Sequence, residues 1–145
     1  MEIRELLTDK KRCLPLLLLA DEQEDMIDRY LARGTMYVLD DGGIRGVCVI
    51  TDEGDGILEI KNLAVHPAFQ GRGYGKQLVQ FVRDTHASKY RILQVGTSPH
   101  NLPFYEACGF QVHHIVKGFF TEHYDHPIYE DSVQLTDMIY LRQDL

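Results

Sequence analysis

The sequence predicts a mixed α/β domain of about seven strands and about four helices. Three observations predict it. An apolar strand ending at Val65 runs through a Gly-rich corner into a stretch with helical apolar spacing. Apolar runs on both sides of Asp40-Asp41-Gly42-Gly43 read as a hairpin. The complete order of runs is β-α-α-β-β-β-α-β-α-β-β over 145 residues, with no repeat, linker or low-complexity stretch, so residues 1–145 are expected to form one domain. A 44% hydrophobic content suffices for such a chain to bury roughly 70% of its unfolded surface.

Each element has a local reason. Ile3 to Leu6 reads as a short strand. Lys10 to Ala20 and Asp25 to Arg33 carry apolar residues at helical spacing, with Leu14, Leu17 and Leu18 in the first and Met26, Ile27, Tyr30 and Leu31 in the second, which Gly34 closes. Met36 to Leu39, Ile44 to Thr51 and Gly56 to Val65 form an antiparallel meander. After the Gly-rich corner, Leu78, Val79, Phe81 and Val82 give a helix its apolar face through about His86. Tyr90 to Val95 reads as a buried strand, and Leu102 to Cys108 as a short helix ended by Gly109. Phe110 to Phe120 and Val133 to Leu141 read as the last two strands, joined by a polar, aromatic loop of about a dozen residues.

The corner itself is Leu63 to Lys76, LAVHPAFQGRGYGK, and its composition suits phosphate. Glycines let a ligand approach the backbone, and amides ahead of a helix N-terminus bind anions. The G-x-G-x-G spacing of Gly71, Gly73 and Gly75 fails the dinucleotide fingerprint, which needs G-x-G-x-x-G. It also fails as a P-loop, because Gln77 follows Gly75-Lys76 where Ser or Thr must hold Mg²⁺. The run Gln70-Gly71-Arg72-Gly73-Tyr74-Gly75 instead resembles the acyl-CoA signature of the GNAT superfamily of N-acyltransferases. A second run, Tyr105-Glu106-Ala107-Cys108-Gly109-Phe110, resembles that family's Y-x-x-x-G-F motif, and the order of elements matches the family from end to end. Phe119 to Ile128, Leu16 to Leu31 and Thr136-Asp137-Met138 are similar to a bacterial YvbK-type subgroup.

The resemblance implies a GNAT fold with a mixed, mostly antiparallel central sheet, and acetyl transfer from acetyl-CoA to a primary amine within a ternary complex. By that resemblance the amides from Gln70 to Lys76 hold the pyrophosphate of coenzyme A. Leu63, Ala64 and Val65 bond its pantetheine and acyl carbonyl, the Leu63 or Ala64 amide facing the oxyanion. Tyr105 protonates the departing thiolate. Glu59, eleven residues before Gln70, stands where the family's base stands. Strict alternation puts Glu59, Lys61, Leu63 and Val65 on one face and Leu58, Ile60, Asn62 and Ala64 on the other, a phase that a bulge would shift. The Asn that family members carry near the tyrosine corresponds to Asn101, here only four residues before Tyr105, where it also suits a helix cap.

Composition narrows the remaining classes. A formal net charge of −7 argues against nucleic acid and is compatible with a cationic acceptor. Coenzyme A is an anion, so Arg72 and Lys76 must act locally against the overall field. Cys13, Cys48 and Cys108 form no C-x-x-C pair, which suggests a reduced, cytoplasmic setting without disulfides or zinc. Leu14 to Leu19 is too short to span a membrane, and Met1 to Lys10 lacks a signal-peptide pattern. Metal binding at His113-His114 is disfavoured because strand alternation should part them. Asp21, Glu22, Glu24, Asp25 and Asp28 facing His123 to His126 form either a pocket for a cationic amine or a solvated helix face. Cys108 lacks the charged partner that a covalent acyl carrier requires. The competing function is a non-catalytic acyl-CoA sensor. A homodimer through the exposed last strands is compatible with the resemblance.

Overall fold

A computed structural model describes residues 1–145. Seven strands form one sheet in the order β1-β2-β3-β4-β5-β9-β6. They are β1 (Glu2–Glu5), β2 (Thr35–Asp40), β3 (Ile44–Asp52), β4 (Ile57–Val65), β5 (Ile92–Thr97), β6 (Gln111–Val116) and β9 (Met138–Asp144). All neighbours are antiparallel except β4 and β5, which the crossover helix α3 (Tyr74–His86) joins in parallel. A separate hairpin pairs β7 (Tyr129–Glu130) with β8 (Val133–Gln134).

Helices cover both faces, so the chain has two cores. Leu78, Val79 and Val82 of α3 and Tyr105 of α4 (Leu102–Ala107) pack on Leu39, Ile50, Leu58, Ile60 and Leu93. On the other face, α1 (Leu14–Ala20) and α2 (Glu24–Leu31) bury Leu17, Ile27 and Tyr30 against Val38, Val47, Val49 and Ala64. Burying each large aliphatic side chain stabilises by about 1.5–3 kcal/mol. Gly34 ends α2 as expected, its amide bonding the Tyr30 carbonyl at 2.9 Å. The first part of the expected helix Lys10 to Ala20 is a 3₁₀ turn, and the α-helix begins at Leu14. No helix is long and apolar enough to cross a membrane.

The end of the chain departs from the expected pair of long strands. β6 stops at Val116, and Gly118, at φ +68°, opens a short helix α5 (Phe119–His123) anchored by the Gly118 amide on the Asp137 carboxylate at 2.9 Å. Phe120, Ile128 and Leu135 form a third small core under this segment. The expected strand Val133 to Leu141 is therefore divided between β8 and β9. Asp131 and Ser132, both at positive φ, make the tight β7–β8 turn without the Asn-Gly or Asp-Gly pair that marks such turns in a sequence.

Candidate active site

β4 and β5 stay paired only from Ile57 opposite Ile92 to Ile60 opposite Val95. Beyond that point they part, and a cavity of about 430 Å³ opens between Leu63, Ala64 and Val65 on one side and Gly96, Thr97 and Ser98 on the other. A bulge accompanies the parting. Val49 faces Asn62 while Ile50 faces Ile60, so Lys61 is the extra residue of β4. The bulge also overturns strict alternation. Leu63 and Val65 pack in the α3 core together with Leu58 and Ile60, whereas Ala64 lies in the α1–α2 core. With no strand against this edge of β4 past Ile60, its backbone groups there are available to a ligand.

The Gly-rich corner stands at the other end of the cavity, joined to it by Gln70, whose side-chain amide donates to the Val65 carbonyl at 3.1 Å. Gly71 and Gly73 have φ near +80°, and a Cβ built on either would meet nothing within 4 Å. An open concavity thus lies in front of α3, whose first amides have no side-chain cap. Arg72 lies over the Phe69 ring at 4.8 Å, and Lys76 is exposed in the first turn of α3. Uncapped amides with two cations beside them fit an anionic diphosphate. Two neighbours also make contacts within the fold. Tyr74 spends its hydroxyl on the Asp41 carboxylate, and Gly75 allows Phe104 to approach, a Cβ there coming within 3.1 Å of that ring.

Tyr105 lines the cavity at 7% exposure, its ring set edge-on to Phe104 and Phe110. Burial pushes its phenol well above the usual tyrosine range, and no hydrogen bond from the protein contributes. Asn101 also lines the cavity. It stands at the N-cap position of α4 without making the side-chain cap bond that its position suggested. Burial raises the thiol of Cys108, so the residue is no ready nucleophile.

Glu59 is 5% exposed and lies behind the cavity wall, while Lys61 lines it. Lys61 Nζ meets one Glu59 oxygen at 2.6 Å, and Gln94 Nε2 donates to the other at 2.5 Å. Arg142 Nε in turn donates to Gln94 Oε1 at 2.7 Å. Glu59, Gln94 and Arg142 stand with Thr51 in one register row across four strands, which single-strand reading does not reveal.

The end of the cavity lined by Asp21, Glu22 and Tyr124 is closed by side chains. Asp21 accepts from Tyr124 at 2.7 Å and from Tyr30 at 3.2 Å, and burial raises its carboxyl against the lowering effect of those bonds. Glu22 meets His126 at 2.9 Å, and Gln23 accepts the Asp125 amide at 3.1 Å. Ser98 bonds Glu130 at 2.7 Å. The expected meeting of the α1–α2 loop with residues 123–126 is thus present, but only part of the acidic run shares in it. Glu24 and Asp28 pair with Lys11 instead, and Asp25 accepts from Gln23. Ser98 and Glu130 carried no motif that would have singled them out, whereas Tyr124 lies in the Phe119 to Ile128 run. His113 and His114 are not parted, since a bulge in β6 brings their Nδ1 atoms to 2.8 Å. No group of three or more His, Cys, Asp or Glu side chains could hold a metal ion.

The GNAT acetyltransferase domain family matches residues 32–112. The Bacillus subtilis protein named uncharacterized N-acetyltransferase YvbK is 38% identical over 135 residues, covering 90% of this chain and 87% of that protein. A GNAT family acetyltransferase from Elizabethkingia anophelis, solved with acetyl-CoA bound, superimposes with a TM-score of 0.93 at 35% identity, over 99% of this chain and 97% of that one. A Bacillus subtilis acetyltransferase in complex with CoA gives 0.89 at 34% identity, over 99% and 98%. Acetyl-CoA is therefore the cosubstrate. The chain belongs to the GNAT family of acetyl-CoA-dependent acetyltransferases.

Proposed function

We propose that the chain, acting as one domain of residues 1–145, acetylates a primary amine by direct attack within a ternary complex. The observation that carries this reading is the parting of β4 from β5 beyond Ile60 and Val95, with the unbonded phenol of Tyr105 in the cavity wall. Acetyl-CoA supplies an activated acyl carbonyl and a thiol leaving group. Amides of Gly71 to Lys76 bind the diphosphate, with Gln70 securing the corner to β4. The Leu63 or Ala64 amide on the free edge of β4 stabilises the developing oxyanion, and Asn101 holds the cofactor from the α4 side.

The amine's proton is the main obstacle, because neutralising an alkylammonium at pH 7 costs about 4–5 kcal/mol. Glu59 takes that proton at one remove, since its carboxylate stands behind Lys61 rather than in the cavity wall. Tyr105 then gives its proton to the departing sulfur. Its raised pKa keeps it protonated through the neutral range, so it serves as an acid throughout. The acceptor is a small amine, because three side-chain contacts tie residues 124–126 to the α1–α2 loop and narrow the entrance.

Thiol release from acetyl-CoA across a panel of primary amines tests the reading. Turnover with at least one amine, reduced about 100-fold by Tyr105→Phe and by Glu59→Gln, is the expected result. Tight CoA binding with no turnover for any amine would contradict it and favour a sensor.

A further inference from the structure

Lys61 is the one lysine that lines the cavity, and the proposed mechanism leaves it without a task. It is the extra residue of the β4 bulge, it lines the cavity two positions before Leu63, and its side chain is 22% exposed. Its Nζ rests 2.6 Å from Glu59 and 3.9 Å from Glu53. The Glu59 carboxylate is fixed in place for this contact. Arg142 can only donate, so its bond to Gln94 Oε1 leaves the Gln94 amide nitrogen to donate to Glu59 Oε1, and Oε2 is left to Lys61. The primary amine of a cavity-lining residue is thereby held in contact with the carboxylate assigned as proton acceptor.

We propose that Lys61 is itself an acetyl acceptor, modified in cis when no external amine fills the cavity; this rests on the roles assigned above to Glu59 and Tyr105. Glu59 takes one proton from the Lys61 ammonium, and the freed lone pair forms the N–C bond to the acetyl carbon. The C–S bond breaks with its electron pair on sulfur, which takes the Tyr105 proton and leaves as the thiol of CoA, and the second proton shed by the nitrogen, passed through water, restores the Tyr105 phenol. The product is a neutral amide that no longer pairs with Glu59 and that fills acceptor space. Modification therefore slows transfer to external amines.

The protein incubated with acetyl-CoA alone, digested and read by mass spectrometry tests this. Site-independent chemical acetylation follows exposure and would favour Lys117, whose side chain is 84% exposed. Self-transfer predicts Lys61 acetylated at least tenfold faster than Lys117, at a rate independent of protein concentration. Tyr105→Phe and Glu59→Gln should slow Lys61 at least tenfold with Lys117 unchanged as the internal standard. Lys61 acetylated no faster than Lys117 would overturn the proposal. If added amines still drive Tyr105-dependent thiol release in that case, only the self-transfer fails; if they do not, the reading beneath it fails as well. A readout free of turnover is footprinting with acetic anhydride, in which CoA should protect Lys61 and leave Lys117 unaffected. Equal labelling of Lys61 with and without CoA would also overturn it.

Discussion

The two ends of the cavity are built from different material. At the end proposed for the cofactor, open glycines, uncapped helix amides and a free strand edge present backbone. At the end proposed for the acceptor, Tyr124, Asp21, Glu22 and His126 close the space with side-chain bonds between segments about a hundred residues apart in the chain. Backbone sites tolerate varied side chains and recognise one shared ligand, whereas the side-chain end is where members of a fold can differ in acceptor.

Perturbing the chemistry between the two ends should have the largest effect. Tyr105→Phe is expected to lower kcat about 100-fold while CoA affinity, measured by calorimetry, stays within a factor of two. Next comes the backbone end. Gly73→Ala places a Cβ at φ +82°, in strained backbone and in the open cradle, so CoA should bind about tenfold more weakly. Its kcat at saturating acetyl-CoA should be nearly unchanged.

Smaller effects belong to the acceptor end. Tyr124→Phe removes one of two phenol donors from the half-buried Asp21, a loss of about 1 kcal/mol locally. The acceptor KM should rise about fivefold with no change in CoA affinity. The smallest effect is on pH. Contacts with Asp125 first and Glu22 second raise His126 above the ordinary histidine value. A histidine raised on folding contributes its contact fully below about pH 6.5 and loses it as pH climbs through the raised value. The acceptor KM should therefore increase about twofold from pH 6 to pH 9, an effect limited by the exposure of this contact. In His126→Gln that dependence should vanish.

The backbone end was legible in the sequence because its signal is local. Gly71 and Gly73 at fixed spacing after Val65, and Tyr105 four residues before Gly109, state the corner and the short helix outright. Strand phase was not legible at the two bulges. An inserted residue at Lys61 moves Leu63 and Val65 to the face of Ile60, and a second bulge joins His113 to His114, because register is set by the neighbouring strands. The division of Phe110 to Leu141 into β6, α5, β7–β8 and β9 was likewise hidden. Phe119 and Phe120 look like strand residues until Ile128 and Leu135 supply a separate core for them. Glu59 was singled out by its position, but its contact with Gln94 depends on a row that runs across strands.

Amide hydrogen exchange with and without acetyl-CoA tests the central claim most directly, since it reads the backbone that the site is made of. Added acetyl-CoA should slow exchange at Leu63 to Val65 and at Gly71 to Lys76 together, leaving the β7–β8 hairpin unchanged. Protection absent from both segments, or confined to the hairpin, would contradict the account.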